Sequence, residues 1–278
     1  MSTESAGEPS DYWEREYNPR VRVNEPQVYF DAWAQRAQAA RAYLNGMIDL
    51  SYGPHERQRL DFFRAEPAHG TLVFIHGGYW RAFSKDSYSW VADTFVKAGI
   101  SVAVPSYPLA PQASLATIVQ SIAGVVPYLR NEILTPGEQR KVVLVGHSAG
   151  AHLAACCFTQ SGVGKGAAGA DAALGISGLY DLAPLLHTRM LGGMGWTCAE
   201  LHAVSPLFMP QPAVGRLVLA VGGAESEEFH SQTRRFARAW PDRVAATLTL
   251  SGKNHFNVLE GLQTQDGELA RAALALMR

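Results

Sequence analysis

The chain has 278 residues, 47% of them hydrophobic, and its 24 basic and 25 acidic side chains leave a formal net charge of −1. This balance gives no electrostatic reason to expect a nucleic acid or an anionic membrane surface as partner, so a small molecule is expected instead. Three cysteines, two of them adjacent, cannot form a disulfide framework. The length favours one domain with a sizeable core.

The N-terminal residues 1–11 are small and polar, and we expect them to form a flexible lead before a domain over residues 12–278. They lack the basic-then-apolar pattern of a signal peptide, and no apolar run approaches the ~20 residues of a membrane span. These features predict a cytoplasmic protein without a membrane partner. A homodimer is left open as an alternative to a monomer.

Further along the chain, apolar residues at helical spacing predict a helix over residues 28–45. Short apolar runs then alternate with helical stretches, which predicts a mostly parallel central sheet with helices on both faces, an α/β fold. A loop-rich segment over residues 180–210 is expected to form a small cap over the carboxyl ends of the strands. The predicted strands are 60–63, 71–75, 100–105, 142–145, 172–176, 217–221 and 246–250, and the predicted helices are 87–98, 115–131, 149–160 and 227–240.

The motif Gly-His-Ser-Ala-Gly at residues 146–150 lies directly between a predicted strand and a predicted helix. A strand, a sharp turn and a helix are the context that a nucleophile elbow requires, so Ser148 is the predicted nucleophile. The alternative is a tight turn with a helix-capping serine. His147 is interpreted as structural, because a residue adjacent to the serine on so sharp a turn points away from it.

A serine nucleophile needs an imidazole to take its proton and a carboxylate to fix that imidazole, and both follow the serine along the chain in the α/β-hydrolase fold. Glu225 lies in the turn after a predicted strand and is the predicted acid. Glu227 and Glu228 remain alternatives, although acidic residues are common in the first turn of a helix. His255 is the only histidine after the last predicted strand and is the predicted base.

The sequence His-Gly-Gly-Tyr-Trp at residues 76–80 follows another predicted strand. A glycine-rich segment at a strand end can present backbone amides to a developing oxyanion. We assign the amides of Gly78 and Tyr79 to this role, together with the amide of Ala149 after the nucleophile. The alternative is a glycine-rich turn beside a buried aromatic residue.

With these motifs the sequence resembles the kynurenine formamidase (arylformamidase) family of α/β-hydrolases, whose oxyanion motif is His-Gly-Gly-x-Trp. The similarity extends over most of the chain from about residue 12, in the segments 16–20, 49–53, 146–152, 176–182 and 254–256. It implies hydrolysis of N-formyl-kynurenine to kynurenine and formate, a step of tryptophan catabolism. Residues 107–111 also resemble hormone-sensitive-lipase-like esterases, and Glu225 stands where many of these enzymes carry Asp.

The aromatic leaving group that this resemblance implies calls for an aromatic-lined site. The candidate substrate-binding residues are Gly77, Trp80, Phe83, Tyr107 and Trp196, with Tyr79, Tyr12 and Trp13 as further candidates. Each aromatic residue has core or cap packing as its alternative role. No His/Asp cluster has plausible metal-ligand spacing, so neither a metal nor another cofactor is expected.

The sequence therefore predicts a serine hydrolase that cleaves a small acyl group from an aromatic leaving group through a Ser-His-Glu triad and an acyl-enzyme. A carboxylesterase acting on short-acyl or aryl esters is the main alternative, because both reactions share a tetrahedral intermediate. A non-catalytic binding protein with a hydrolase fold is the third hypothesis. It is disfavoured because every expected member of the catalytic apparatus is present in the sequence.

Overall fold

The computed structural model describes residues 11–162, 169–191 and 194–278. Residues 1–10 of the expected lead lie outside the described residues, as do Gly192 and Gly193 of the expected cap. Residue 11, which was expected to belong to the lead, begins the first helix.

A central sheet of eight strands runs through the described part of the chain. Its order is β1-β2-β4-β3-β5-β6-β7-β8; β2 is antiparallel to both β1 and β4, and all other neighbours are parallel. This mostly parallel sheet confirms the predicted α/β class. The strands are β1 Met47–Ser51, β2 Arg59–Phe63, β3 Thr71–Ile75, β4 Ser101–Pro105, β5 Val142–His147, β6 Ala172–Ile176, β7 Arg216–Gly222 and β8 Val244–Leu250.

Helices cover both faces of this sheet, as the continuous burial of β3, β4, β5 and β6 requires. The α-helices are α1 Asp11–Tyr17, α2 Pro19–Arg22, α3 Gln27–Tyr43, α4 Ala92–Val96, α5 Leu115–Ala123, α6 Val125–Tyr128, α7 Ala149–Gly162, α8 Cys198–Ala203, α9 Glu227–Ala239 and α10 Glu268–Leu276. None of the described helices is long and apolar enough to cross a bilayer.

Two apolar clusters fill the space between the sheet and its helices. Ile118 of α5, Leu153 of α7 and Phe236 of α9 belong to the cluster on one face. Trp33 of α3 and Leu269 of α10 belong to the cluster on the other. The carboxyl ends of the parallel strands point to one edge of this layered body, where the loops that follow β3, β5, β7 and β8 can meet.

The structure differs from the predicted elements mainly where local sequence signals are weak. Strand β1 was not predicted, because it lies at the sheet edge with no fully buried position. The helix predicted over 87–98 is two 3₁₀ turns followed by the short α4. The helix predicted over 115–131 is divided at Gly124 into α5 and α6, which continues as a π turn. The segment 180–210 contains α8 and two 3₁₀ turns.

Candidate active site

Ser148 lies at the sharp turn between β5 and α7, with a backbone φ of +57°. Its amide donates to the carbonyl of Ile176 on the neighbouring strand at 2.8 Å, which anchors the turn to the sheet. A left-handed backbone costs a non-glycine residue about 1–2 kcal/mol. Such strain commonly accompanies a functional position, because the surrounding structure must hold it.

The two glycines of the motif allow the backbone segments around this turn to approach closely. A Cβ atom placed on Gly146 would lie 2.1 Å from the carbonyl oxygen of Gly150, and one on Gly150 would lie 2.0 Å from the carbonyl oxygen of Ile75. Both contacts are far inside van der Waals distance. Any larger residue at either position would therefore force β3, β5 and α7 apart at the point where Ser148 is presented.

The structure brings Ser148, His255 and Glu225 into one hydrogen-bonded chain. Nε2 of His255 lies 3.0 Å from Oγ of Ser148, and Nδ1 of His255 lies 2.6 Å from Oε2 of Glu225. All three side chains are buried. In this arrangement the imidazole can accept the serine proton while the carboxylate holds the other ring nitrogen protonated.

The alternative acids point elsewhere. Glu227 is exposed and pairs with Arg234 on its own helix. Glu228 accepts from the hydroxyl of Tyr17 at 3.0 Å and of Tyr12 at 3.2 Å. Among these three glutamates, the geometry favours Glu225.

Ser177, which was not predicted as a site residue, orients the carboxylate of Glu225. Its hydroxyl donates to Oε1 at 2.5 Å, and the amide of Gly222 donates to the same oxygen at 2.7 Å. Oε2 is thereby directed to His255. Ser177 directly follows β6, and the neighbouring strand β7 leads to Glu225. The position of Ser177 at the end of a strand beside the strand of the acid is the signal that could have identified this residue.

His147 and Phe229 both contact the predicted catalytic histidine. Nε2 of His147 lies 2.9 Å from the carbonyl oxygen of His255, and burial lowers the pKa of His147 well below its ordinary value. A neutral ring donating from Nε2 fits this contact and agrees with a structural role. The ring of Phe229 lies 4.6 Å from that of His255, centroid to centroid, and limits its movement.

The segment after β3 turns sharply beside the serine. Gly78, Tyr79 and Trp80 all have positive φ, and at Gly78 the value of +110° requires glycine. Within the described chain, no backbone acceptor is bonded to the amide of Gly78 or Tyr79. A Cβ on Gly77 would lie 3.0 Å from Cβ of Ser148, so this backbone passes directly against the elbow. The segment can offer unpaired donors next to Ser148.

A cavity of about 620 Å³ opens onto Ser148 and His255. Of the substrate-binding residues expected from the sequence, Phe83 lines it, as does the further candidate Tyr79. The other aromatic rings on its wall were not predicted as substrate contacts, because two come from α3, distant in sequence, and the other two, although close to the predicted motifs, have no defined orientation until the backbone is known. They are Phe30, Trp33, Tyr88 and Phe256.

Trp80, Tyr107, Trp196 and Gly77 do not line this cavity. Trp80 is fully buried, where its indole nitrogen donates to Nδ1 of His152 at 3.1 Å. The hydroxyl of Tyr107, also fully buried, donates to the carbonyl of His76 at 2.8 Å. Trp196 packs edge-on against Trp80, with ring centroids 6.0 Å apart. These contacts fit the packing role that was the alternative for the three aromatic residues.

The remaining two candidates also contact other side chains. The hydroxyl of Tyr12 bonds Glu228, and Trp13 stacks on Tyr17 with ring centroids 5.9 Å apart. Among the described residues, no group of three or more His, Cys, Asp or Glu side chains is arranged to hold a metal ion.

Comparison with known proteins adds to this geometry. A family model described as the alpha/beta hydrolase fold matches residues 72–194. A kynurenine formamidase of Danio rerio is 27% identical, covering 94% of this chain and 92% of its own, and that of Salmo salar is 28% identical, covering 96% of each.

Two solved structures of other proteins have a fold similar to that of this chain. A putative thioesterase from Silicibacter sp. superposes with a TM-score of 0.87 at 32% identity, covering 96% of this chain and all of the other. An esterase of Pyrobaculum calidifontis superposes with a TM-score of 0.68 at 16% identity, which shows a shared fold alone.

Proposed function

Because the chain belongs to the α/β-hydrolase family, among its kynurenine formamidase-like members, we propose that it removes a small acyl group from an aromatic amine, with N-formyl-kynurenine or a related aryl formamide as substrate. The chain is a hydrolase with formamidase or esterase activity. The cleavage of an aryl formamide is supported by the hydrogen-bonded side chains of Ser148, His255 and Glu225, which lie beneath an aromatic-walled cavity.

In the first step Oγ of Ser148 attacks the formyl carbon, and its proton passes to Nε2 of His255. The 3.0 Å separation of these atoms suits a direct transfer. Glu225 holds the proton on Nδ1, which leaves Nε2 free to accept, and stabilises the imidazolium that forms. The carboxylate itself remains ionised throughout.

The tetrahedral intermediate places negative charge on the former carbonyl oxygen. The amides of Gly78, Tyr79 and Ala149 are the proposed donors to this oxygen, supported by the unpaired amides beside the elbow. Losing one such donor typically costs about 3–4 kcal/mol of transition-state stabilisation. The N-terminus of α7, directly after Ser148, adds a favourable dipole.

Collapse of the intermediate breaks the C–N bond, and the imidazolium of His255 gives its proton to the departing amine. The formyl group is left on Ser148, and a water molecule activated by His255 releases it as formate. The aromatic amine can leave along the cavity, because Phe30, Trp33 and Phe83 offer flat surfaces for an aryl ring.

A carboxylesterase is the second candidate function. The same triad geometry can hydrolyse an ester, and a solved structure of the same fold is an esterase. The leaving group distinguishes the two activities, because an amine must be protonated as it leaves whereas a phenolate need not be.

The experiment compares hydrolysis of N-formyl-kynurenine, formanilide and p-nitrophenyl acetate by the native protein, by Ser148→Ala and by the control Ser51→Ala at the edge of the sheet. We expect turnover of both formamides by the native protein and the control, with loss in Ser148→Ala of at least about 1,000-fold. Activity on the ester alone would establish the esterase instead. Absence of all activity, with no labelling of Ser148 by a fluorophosphonate, would indicate a non-catalytic binding protein.

A further inference from the structure

The wall of the cavity carries a concentration of positive charge. Arg20, Arg81 and Arg189 line it, and none of the described lining residues is Asp or Glu. The chain as a whole has a formal charge of −1, so this is a local feature and does not reflect a basic protein. A concave site lined by one sign of charge attracts ligands of the opposite sign.

Two of these three cations have no acidic partner within the described chain. The guanidinium of Arg20 lies over the ring of Phe30, 4.9 Å from its centroid. Arg81 donates to the backbone carbonyl of Met190. Neither Arg20 nor Arg81 forms an ion pair within the described chain, whereas Arg189 pairs with Asp11. Both contacts hold an arginine in place without an ion pair, and a guanidinium remains protonated in proteins.

The arginines lie at the mouth of the cavity and the serine lies at its floor. All three arginine residues are exposed, whereas Ser148 is only 2% exposed. Donors for the oxyanion are already available beside Ser148, at Gly78 and Tyr79. The arginines therefore suit a charge at the far end of a bound molecule, away from the bond that is broken.

Building on the proposed function, we propose that Arg20 and Arg81 bind a carboxylate at the outer end of the aryl leaving group, so that the preferred substrates are aryl formamides of net negative charge. Arginine suits this role, because its planar fork binds a carboxylate through two charge-assisted hydrogen bonds. An additional ammonium group on the substrate would find no carboxylate on the described cavity wall and would be repelled by the same arginines, so N-formyl-kynurenine, which carries one, is expected to be a weaker substrate than an anionic aryl formamide.

Three substrates with one skeleton test this preference: 3-(4-formamidophenyl)propanoate, its neutral propanamide, and 4-formamidophenylalanine, which adds an ammonium to the propanoate. All present the same formanilide bond to Ser148. We expect kcat/KM for the propanoate to exceed that for each of the other two by about tenfold, which corresponds to about 1.4 kcal/mol.

Arginine variants then assign the effect to residues. Arg20→Gln and Arg81→Gln should each lower the propanoate-to-propanamide ratio of kcat/KM by several-fold, and Arg20→Lys should retain only part of the ratio, because it keeps the charge but loses the planar fork. Arg140→Gln is the matched control, since Arg140 is exposed beside the start of β5, away from the strand ends that carry the site. Its ratio should equal that of the native protein.

The outcomes separate the two proposals. Equal kcat/KM for the three formamides, or a ratio unchanged in both glutamine variants, would overturn the role of the arginines while leaving the formamidase function standing. Hydrolysis of none of the three, by a folded protein that still cleaves p-nitrophenyl acetate, would overturn the formamidase function and the inference with it.

Discussion

Ser177 donates a hydrogen bond from its hydroxyl to Oε1 of Glu225 at 2.5 Å, while Oε2 of the same carboxylate lies 2.6 Å from Nδ1 of His255. The two oxygens of one side chain thus have separate partners. A glutamate has one more rotatable bond than the aspartate common at this position, and it requires an additional anchor to hold its carboxylate in a single orientation. Ser177 and the amide of Gly222 supply that anchor.

Removing the hydroxyl of Ser177 should therefore slow catalysis. We expect kcat of Ser177→Ala to fall about tenfold, the value of one hydrogen bond to a charged group, with KM little changed. Ser177 has a φ of +52°, so alanine also leaves the backbone strained. Ser177→Gly lacks the hydroxyl but relieves the strain, and it should show the same loss of kcat with higher stability than Ser177→Ala. Recovery of kcat in the glycine variant would contradict a positioning role.

Replacing the carboxylate itself should have a larger effect. Glu225→Gln keeps the shape of the side chain but cannot stabilise the imidazolium and favours the wrong tautomer of His255, so we expect kcat to fall by about 1,000-fold or more. Glu227→Gln is the control of matched chemistry, because Glu227 is an exposed neighbour that pairs with Arg234. Steady-state kinetics on an aryl formamide measure both variants. A comparable loss in the control would indicate that the acid has been misassigned.

The backbone of Ser148 predicts a difference between two inactive variants. Both Ser148→Ala and Ser148→Gly remove the nucleophile, but only glycine accepts a φ of +57° without steric cost. The glycine variant should therefore exceed the alanine variant by about 1 kcal/mol in free energy of unfolding. Urea denaturation of the two proteins measures this difference directly. Equal stabilities would mean that the turn relaxes when the serine is removed.

His152 gives the protein a specific sensitivity to acid. Burial lowers its pKa from 6.5 to about 4, and its Nδ1 accepts a hydrogen bond from Trp80 that a proton would displace. Between these two values the unfolded chain binds more protons than the folded one, so the free energy of unfolding falls as the pH drops from about 6.5 to about 4. From about pH 8 to about pH 5, His152 should lower the free energy of unfolding by about 2 kcal/mol.

His152→Gln tests this dependence, because an amide can accept from Trp80 and donate to Val204 without titrating. Urea denaturation at a series of pH values should show a decline smaller by about 2 kcal/mol in the variant. The remaining decline includes His76, whose pKa is also lowered to about 4 by burial. Parallel pH curves for the variant and the native protein would contradict the prediction, whatever their absolute stabilities.

The triad residues could be predicted from the sequence, because the nucleophile, acid and base follow one another along the chain in an order that the fold sets. Ser148 and Glu225 each follow a buried apolar strand, His255 follows the edge strand β8, which is rich in β-branched residues, and parallel strands bring their carboxyl ends together. Ser177 also follows a predicted strand, but that position points to Glu225 only once β6 and β7 are taken to be neighbours in the sheet.

The wall of the cavity was harder to predict, because an aromatic residue near a motif has no orientation until the backbone is known. Trp80 has a φ of +58° and its ring is buried against His152, whereas Phe83, three residues later, lines the cavity. Trp33 and Phe30 reach the wall from α3, more than a hundred residues before Ser148 in sequence. The arginines at the mouth, Arg20, Arg81 and Arg189, are far apart in the sequence, so no motif or regular spacing groups them.

The catalytic floor and the cavity mouth are built from different parts of the chain. Ser148, His255 and Glu225 follow strands of the sheet, whereas Arg20 belongs to the short helix α2 and Arg189 to a loop between 3₁₀ and α-helical turns. Substitutions at Arg20 and Arg189 can therefore change which amine is accepted without disturbing the hydrogen bonds that perform the chemistry, whereas Arg81 lies three residues after Gly78, in the segment that offers the oxyanion donors. Libraries confined to those two positions should yield variants with altered substrate range at nearly constant thermal stability, which makes this scaffold suited to redesign of its specificity.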